Sequence, residues 1–386
     1  METIIWNQQV VKKNNKALVL QLIMEKEPIS RADISQVSGL HKTTVSSLVN
    51  ELIEEELIYE SGPGESSGGR RPVILHFNKI AGYAVGVDIG VNYVLCVLTD
   101  LKGNILIEKN ESVNRTPYPA IMSKVQTMIR SIMEEMPQSR YGIVGIGVGV
   151  PGIVNKQGSI LLAPNLGWTN IQLKKDLEEL FQIPVIIENE ANAGAFGEQQ
   201  FGAGQEFQNM IYVSAGIGIG VGIILNNELY QGKNGYSGEM GHMIIDLNGK
   251  PCSCGSRGCW EAYASENALL ETADTDSLES LMNMAEKHDE TAQRLFGEIG
   301  TYLGFGINNI INTFNPDQVI IGNRLALAKE WIEQSIEKTI ESHTLANHQK
   351  DMHLNFSKLG KYSTALGVSA FVVESFIKEE VRTSRN

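Results

Sequence analysis

Residues 210–225 read MIYVSAGIGIGVGIIL, sixteen positions without a charge and with four glycines. A membrane helix needs roughly 20 consecutive apolar residues, and this run stops short of that. A dinucleotide-binding loop requires its glycines to open a helix, whereas GIGIGVG continues into more strand-like sequence. The reading that remains is a buried hairpin turned by the glycine corner SAGIGIGVG (214–222). The same texture occurs earlier, where AGYAVGVDIG (81–90) and VLCVLTD (94–100) flank the corner DIGVN (88–92). In such corners successive backbone N–H groups can cradle a phosphate, although a tight hairpin turn explains the glycines equally well.

Outward from these two hairpins, strands are expected at NILIEKN (104–110), GIVGIGVGV (142–150), PVIIEN (184–189) and QVIIGN (318–323). Helices are expected at 120–136, 171–181, 191–200, 265–299 and 300–313. Strand–turn–strand followed by helices, occurring twice, indicates an α/β chain of two similar halves around a cleft. At 386 residues the chain exceeds one ordinary core. Its 42% hydrophobic and 20% charged residues describe a soluble globular protein that does not associate with membranes. Four cysteines without a secretory signal point to a reducing cytoplasm, where clustered thiols bind metal more often than they bridge.

The net charge of −13 argues against nucleic acid only until it is divided. Residues 1–80 hold nine Lys and Arg against ten Asp and Glu, so the acidic excess belongs to the remainder. Residues 28–60, PISRADISQVSGLHKTTVSSLVNELIEEELIYE, have a helix–turn–helix rhythm. Ser30 can cap a short helix that begins at Arg31 and turns Ala32, Ile34 and Val37 inward; Gly39 makes the turn. A second helix over 42–53 gathers Val45, Leu48, Val49, Leu52 and Ile53 on one face. Arg31 and the opposite face, with His41, Lys42, Thr43, Thr44, Ser46 and Ser47, suit phosphates and base edges. LIYE (57–60) and PVILHF (72–77) then read as strands joined by SGPGESSGGRR, a wing whose Arg70 and Arg71 can reach the DNA backbone or minor groove. An amphipathic helix over 10–27 supports the module, and the expected division is 1–79 and 80–386. A three-helix bundle for protein contacts is the alternative reading of the helical spacing alone.

Residues 238–261, GEMGHMIIDLNGKPCSCGSRGCWE, place three of the four cysteines within eight positions, after a histidine and between two glutamates. Together with DIGVN, the glycine hairpin and ENEANAGA (188–195), this block resembles the ROK family of repressors and sugar kinases, over about residues 81–375. The resemblance implies a two-lobed, actin-like and ribonuclease H-like sugar-kinase fold behind the winged helix–turn–helix. It implies Zn2+ held by His242, Cys252, Cys254 and Cys259, a set that is also chemically sound as a closed structural site. It further implies a sugar pocket of Asn189, Glu190, Glu239, His242 and Glu261, with Asn165 facing the same cleft. Carboxylates and amides can each bridge two vicinal hydroxyls.

The departures from the family's kinases fall on the nucleotide side. Those kinases carry Asp where this chain has Glu190, in a proton-abstracting position where misplacement by about 1 Å costs roughly 100-fold. Asn92 and Ile217 stand where the phosphate corners carry Thr, and Gly322-Asn323 replaces a double glycine. The resemblance therefore implies a sugar-sensing repressor without catalysis, acting as a homodimer or higher homo-oligomer on operator DNA. Xylose is the expected effector and glucose its competitor. The alternative is an ATP-dependent hexose kinase, and a zinc-stabilised protein-binding scaffold is a third.

Overall fold

The computed structural model describes residues 8–63, 73–113, 116–275 and 277–382. At the N-terminus, α1 (Gln8–Lys26) leads through β1 (Ile29–Ser30) into α2 (Arg31–Ser38) and α3 (Lys42–Glu54). A capping box sets the start of α2: Ser30 Oγ accepts the Asp33 N–H at 3.3 Å, while the Asp33 carboxylate accepts the Ser30 N–H at 3.2 Å. Gly39, at φ 72°, ends α2 in the left-handed region that lacks a penalty only for glycine. The antiparallel strands β2 (Ile58–Pro63) and β3 (Val73–Phe77) complete the unit, with β1 on the other edge of β3. Arg70 and Arg71 lie outside the described residues. One detail differs from the sequence reading: α2 buries Ile34 alone, while Ala32 is exposed and Val37 is 51% exposed. An eight-residue helix lying on α3 presents too narrow a stripe to bury three apolar side chains.

The next stretch builds a five-stranded sheet. β4 (Tyr83–Ile89), β5 (Tyr93–Asp100) and β6 (Ile105–Ser112) form an antiparallel meander followed by α4 (Tyr118–Glu135). β7 (Ile143–Val150) joins β4 in parallel. A small antiparallel sheet of β8 (Ile153–Val154), β9 (Ile160–Ala163) and β10 (Trp168–Ile171) follows, then α5 (Leu173–Phe181), β11 (Val185–Asn189) and α6 (Glu190–Phe201). The strand order is β11-β7-β4-β5-β6.

The second half repeats the plan. β12 (Met210–Ala215) and β13 (Ile219–Leu225) are the expected hairpin, extended by β14 (Glu228–Leu229). After α7 (Glu261–Ala264), α8 (Glu266–Ala273), α9 (Leu278–Glu286) and α10 (Glu290–Phe314), β15 (Gln318–Gly322) joins β12 in parallel. α11 (Lys329–His343), α12 (Ala346–Gln349), the parallel edge strand β16 (His353–Phe356) and α13 (Ser363–Arg382) end the chain's described fold. The order β14-β13-β12-β15-β16 mirrors that of the first sheet.

The helices expected at 265–299 and 300–313 divide differently. Left-handed backbone at Asp274 (φ 49°) and His288 (φ 63°) breaks the first into α8, α9 and the start of α10. α10 then runs unbroken through Gly300, where α11 packs so closely that an added Cβ would stand 2.7 Å from the Ile332 carbonyl oxygen.

α13 crosses back to the first half and lies across β4 and β7. A Cβ on Gly86 would stand 2.1 Å from the Ala365 carbonyl oxygen, and one on Gly147 would stand 2.4 Å from that of Val368. Against α6 the spacing is equally close, with a Gly367 Cβ placed 1.8 Å from the Ala193 oxygen. The far half of α13 sends Val372 and Val373 into the core built by Val19, Leu20 and Ile23 of α1 and Val45, Leu48 and Val49 of α3. Gly147→Val has no room without lifting α13 off the sheet. It should lower unfolding free energy by about 3 kcal/mol or more in urea titration, whereas the exposed-helix change Lys338→Ala should leave it nearly unchanged.

Candidate functional site

Between the two halves lies a cavity of about 500 Å3. It is lined by all six expected sugar residues: Asn165, Asn189, Glu190, Glu239, His242 and Glu261. Each arrives from the end of a regular element. Asn189 ends β11 and caps α6, its Oδ1 accepting the Ala191 and Asn192 N–H groups while its Nδ2 donates to the Gly152 carbonyl. Glu190 is therefore the first residue of α6. Glu239 and His242 flank a single 3₁₀ turn, and Glu261 opens α7. Behind them Glu188 is buried and accepts from the Asn189 N–H at 2.8 Å, Asn192 Nδ2 at 3.0 Å and Gln231 Nε2 at 2.5 Å, fixing this corner of the cleft.

His242, Cys252, Cys254 and Cys259 converge, with one potential ligand atom from each lying within 4.8 Å of the others. The Cys254 and Cys259 sulfurs are 3.7 Å apart, and His242 Nδ1 is 3.7 Å from Cys252 Sγ. A tetrahedron with zinc–ligand arms of about 2.0–2.3 Å has edges of roughly 3.5–3.8 Å, so the donors and their spacing fit such an ion. The opposite ring nitrogen, Nε2, is 3.9 Å from a Glu239 oxygen. Glu261 bridges the two groups: its Oε1 accepts from Cys252 Sγ at 3.1 Å, and its Oε2 accepts from the Ile219 N–H at 3.4 Å. Cys96 is buried in β5, well removed in sequence from the cluster.

At the floor of the cleft sits a feature the sequence reading did not single out. Asp88, buried at the end of β4, accepts the Tyr93 hydroxyl at 2.7 Å, and its other oxygen, Oδ1, has no partner among the described residues. Burial pushes its carboxyl up to about 8; the Glu190 charge adds to the rise and the Tyr93 hydroxyl opposes it. Glu190 is itself pushed up to about 7 by burial, with Ser214 Oγ, 3.4 Å away, opposing. The available signal was a carboxylate set within an otherwise apolar strand, AVGVDIG.

The winged module presents its helix face outward. His41, Lys42, Thr43 and Ser47 are exposed, and Thr44 and Ser46 partly so. His41 caps α3, with Nδ1 2.9 Å from Thr43 Oγ1. Arg31 is already engaged, paired with Glu60 at 2.6 Å and donating to Asn50 Oδ1 at 3.1 Å, so it braces α2 against α3 and β2. Among the described residues no helix is long and apolar enough to cross a membrane.

A winged helix ahead of a duplicated α/β body with a cleft between its halves defines a protein that joins a DNA-binding module to a kinase-like ligand fold. The sequence pattern of the ROK family matches residues 84–375, and that of winged helix-turn-helix DNA-binding modules matches residues 15–59. The chain belongs to the ROK family. It is 45% identical to the xylose repressor of Bacillus spizizenii over 377 residues, covering 97% of this chain and 98% of that one. Among solved structures, a ROK family transcriptional regulator, homologous to the Escherichia coli MLC protein, superposes with TM-score 0.82 at 28% identity, covering 97% of this chain and all of that one. A ROK family glucokinase from Streptomyces griseus, in complex with glucose and AMPPNP, superposes with TM-score 0.70 at 27% identity, covering 75% of this chain and 99% of that one. The kinase likeness confirms the fold of the body, which this family uses in both repressors and enzymes.

The raised carboxyl of Asp88 has a measurable consequence. The native state holds a proton there that the unfolded chain releases above its ordinary value of 3.8. Stability from this group is thus full below about pH 4 and declines as pH rises toward about 8. Asp88→Asn keeps an acceptor for Tyr93 and removes the titration. It should raise unfolding free energy by about 2 kcal/mol or more at pH 8 and by almost nothing at pH 4; equal shifts at both pH values would show that the site does not titrate in this way.

Proposed function

We propose that this chain is a xylose-responsive transcriptional repressor without catalytic activity. The observation that carries the reading is α13, a single helix that touches both functional ends. At its start, Thr364 Oγ1 donates to the Glu190 carbonyl at 3.2 Å and Ser363 Oγ donates to Glu198 of α6 at 3.0 Å. At its end, Val372 and Val373 share the core of α1 and α3, while Phe376 meets Tyr141 edge-on at 5.0 Å. Sugar binding between the halves shifts α6, α13 moves with it as one rod, and the recognition helix tilts relative to the partner subunit's. A symmetric dimer reading a palindromic operator loses register in this way without any local unfolding. The coupling is reciprocal: whatever factor sugar takes from operator affinity, operator takes from sugar affinity.

In this reading, residues 1–79 bind DNA and 80–386 sense sugar. His41, Lys42, Thr43, Thr44, Ser46 and Ser47 face the groove, with Arg70 and Arg71 on the wing. Asn189, Glu190, Glu239, His242 and Glu261, with Asn165, hold the sugar hydroxyls. The kinase-like origin of the cleft is not matched by kinase residues: Glu190 is a methylene longer than the Asp of the family's kinases, which would set a proton-abstracting carboxylate out of place. His242, Cys252, Cys254 and Cys259 would hold Zn2+, whose charge would favour ionised thiols and a single imidazole orientation. His242 Nε2, 3.9 Å from a Glu239 oxygen, would then be free to donate to a sugar hydroxyl.

The direct test is a gel shift on the DNA upstream of a xylose-utilisation gene. The expected result is a salt-sensitive complex that saturating xylose weakens by at least about tenfold; a complex untouched by xylose sinks the proposed effector. Metal content checks the second element. Purified protein should carry about one zinc per chain by mass spectrometry, and Cys254→Ser should lose it. In calorimetry the same variant should bind xylose at least about tenfold more weakly. Unchanged zinc content in the variant would overturn the ligand set.

A further inference from the structure

Past the sugar residues the cleft widens into a second space of about 1180 Å3, bordered by Asn92, Tyr93, Ile217, Asn323 and Arg324. Val91 and Asn92 of the first glycine corner and Ile217 of the second line this space. A glycine corner holds a phosphate only while its backbone N–H groups stay uncovered. In this chain a side chain lies directly against a glycine of each corner.

In the first corner the Tyr93 ring lies on Gly90, where an added Cβ would stand 2.4 Å from Cε1. The ring is pinned at its far end by the hydroxyl's bond to buried Asp88. In the second corner the Asn323 carboxamide lies on Gly216, its atoms 3.0–3.1 Å from an added Cβ. Its groups are committed: Nδ2 donates to Ser214 Oγ at 2.9 Å and Oδ1 accepts the Arg324 N–H at 2.8 Å. Its backbone, at φ 65° and ψ −160°, lies in a region kept almost entirely for glycine, and these two bonds help hold it there. The cations around the space are neutralised as well. Arg324 pairs with Glu266 at 2.7 Å and Glu279 at 2.9 Å, and Lys361 pairs with Glu108 at 2.6 Å. A polyphosphate entering here meets an aromatic ring and an amide already committed elsewhere, and the described cations that line the space, Arg324 and Lys361, are both paired.

We infer that Tyr93 and Asn323 are the specificity-determining residues of the cleft, closing its two glycine corners to the phosphates of a nucleotide while leaving the sugar pocket open. The inference rests on the reading of the cleft as a sugar sensor and adds the side chains that separate it from a kinase. It also makes the exclusion reversible, because two residues impose it.

Calorimetric titration of the full-length chain with Mg·AMP-PNP and, separately, with xylose tests it in wild type, Tyr93→Phe, and the double variant Tyr93→Ala/Asn323→Gly. Wild type and Tyr93→Phe should show no nucleotide binding at millimolar concentration, since the phenyl ring alone covers Gly90. The double variant should gain nucleotide affinity by at least about tenfold, with xylose affinity within about threefold of wild type. Nucleotide binding by the wild type as tight as by the double variant would overturn the inference. So would a double variant that keeps xylose binding and still ignores the nucleotide. The xylose arm reports separately on the sensor reading, because a wild-type chain that binds nucleotide but no xylose removes that reading as well.

Discussion

The closeness with which α13 lies on the first sheet constrains nearly everything else in the body. With Gly86 and Gly147 beneath it and Gly197 of α6 facing its own Gly367, helix carbonyls rest directly on strand and helix backbone. No side chain intervenes to absorb a shift, so a displacement at one end is passed to the other as a rigid movement. Such bistable, close-packed contacts are how sub-ångström changes become domain rotations. The glycines of GIGVGV in β7 are therefore a packing surface, and phosphate chemistry is not needed to explain them.

The cleft is organised by what burial does to charge. Asp88 and Glu190 face each other in a low-dielectric floor and each favours its neutral form. The three cysteines and the histidine sit at the rim, with Cys254 exposed and Cys259 buried. Carboxyls raised by burial and a rim of Cys and His side chains suit a ligand whose hydroxyls both donate and accept. The same floor offers nothing to a magnesium-bound polyphosphate, which needs ionised carboxylates and free N–H groups. The strand plan is common to the family's repressors and kinases, so the distinction between them lies in the side chains that line the cleft.

Much of this was legible because its signals are local. The two hairpins, the capping box at Ser30, the small polar face of α3 and the Cys/His spacing each depend on residues close together in sequence. The elements that escaped depend on distant partners. α13 lies beyond the last helix the sequence reading expected, and only the glycines of β4 and β7, more than 200 positions earlier, give it its place. The breaks at Asp274 and His288 carry no Gly or Pro, so periodicity alone ran α8, α9 and α10 together. Val37 shows the opposite error: an apolar residue at the right spacing stays exposed because α2 is too short to cover it. Tyr93 was passed over since an aromatic at the start of a strand is unremarkable until its hydroxyl is seen on Asp88.

The junction between the winged module and the body decides how a modest ligand can act on DNA. Its polar part is thin: Lys102 pairs with Glu27, Arg140 Nη1 lies 2.8 Å from Glu56, and the Tyr141 hydroxyl donates to the Glu55 carbonyl at 3.0 Å. Arg140 and Glu56 are both substantially exposed, and pairs of that kind contribute about 0–1 kcal/mol each. Adhesion comes instead from the apolar patch where Val372, Val373 and Phe376 meet α1. Apolar contacts are non-directional, so this patch tolerates sliding far better than an interlocked hydrogen-bond network would. A hundredfold loss of operator affinity requires only about 2.7 kcal/mol of coupling. A sliding apolar joint under a rigid helix can deliver that without breaking the module away from the body. The ligand has only to favour one position of α13 over another, and Glu190, which lines the cavity from the first turn of α6, offers α13 its carbonyl.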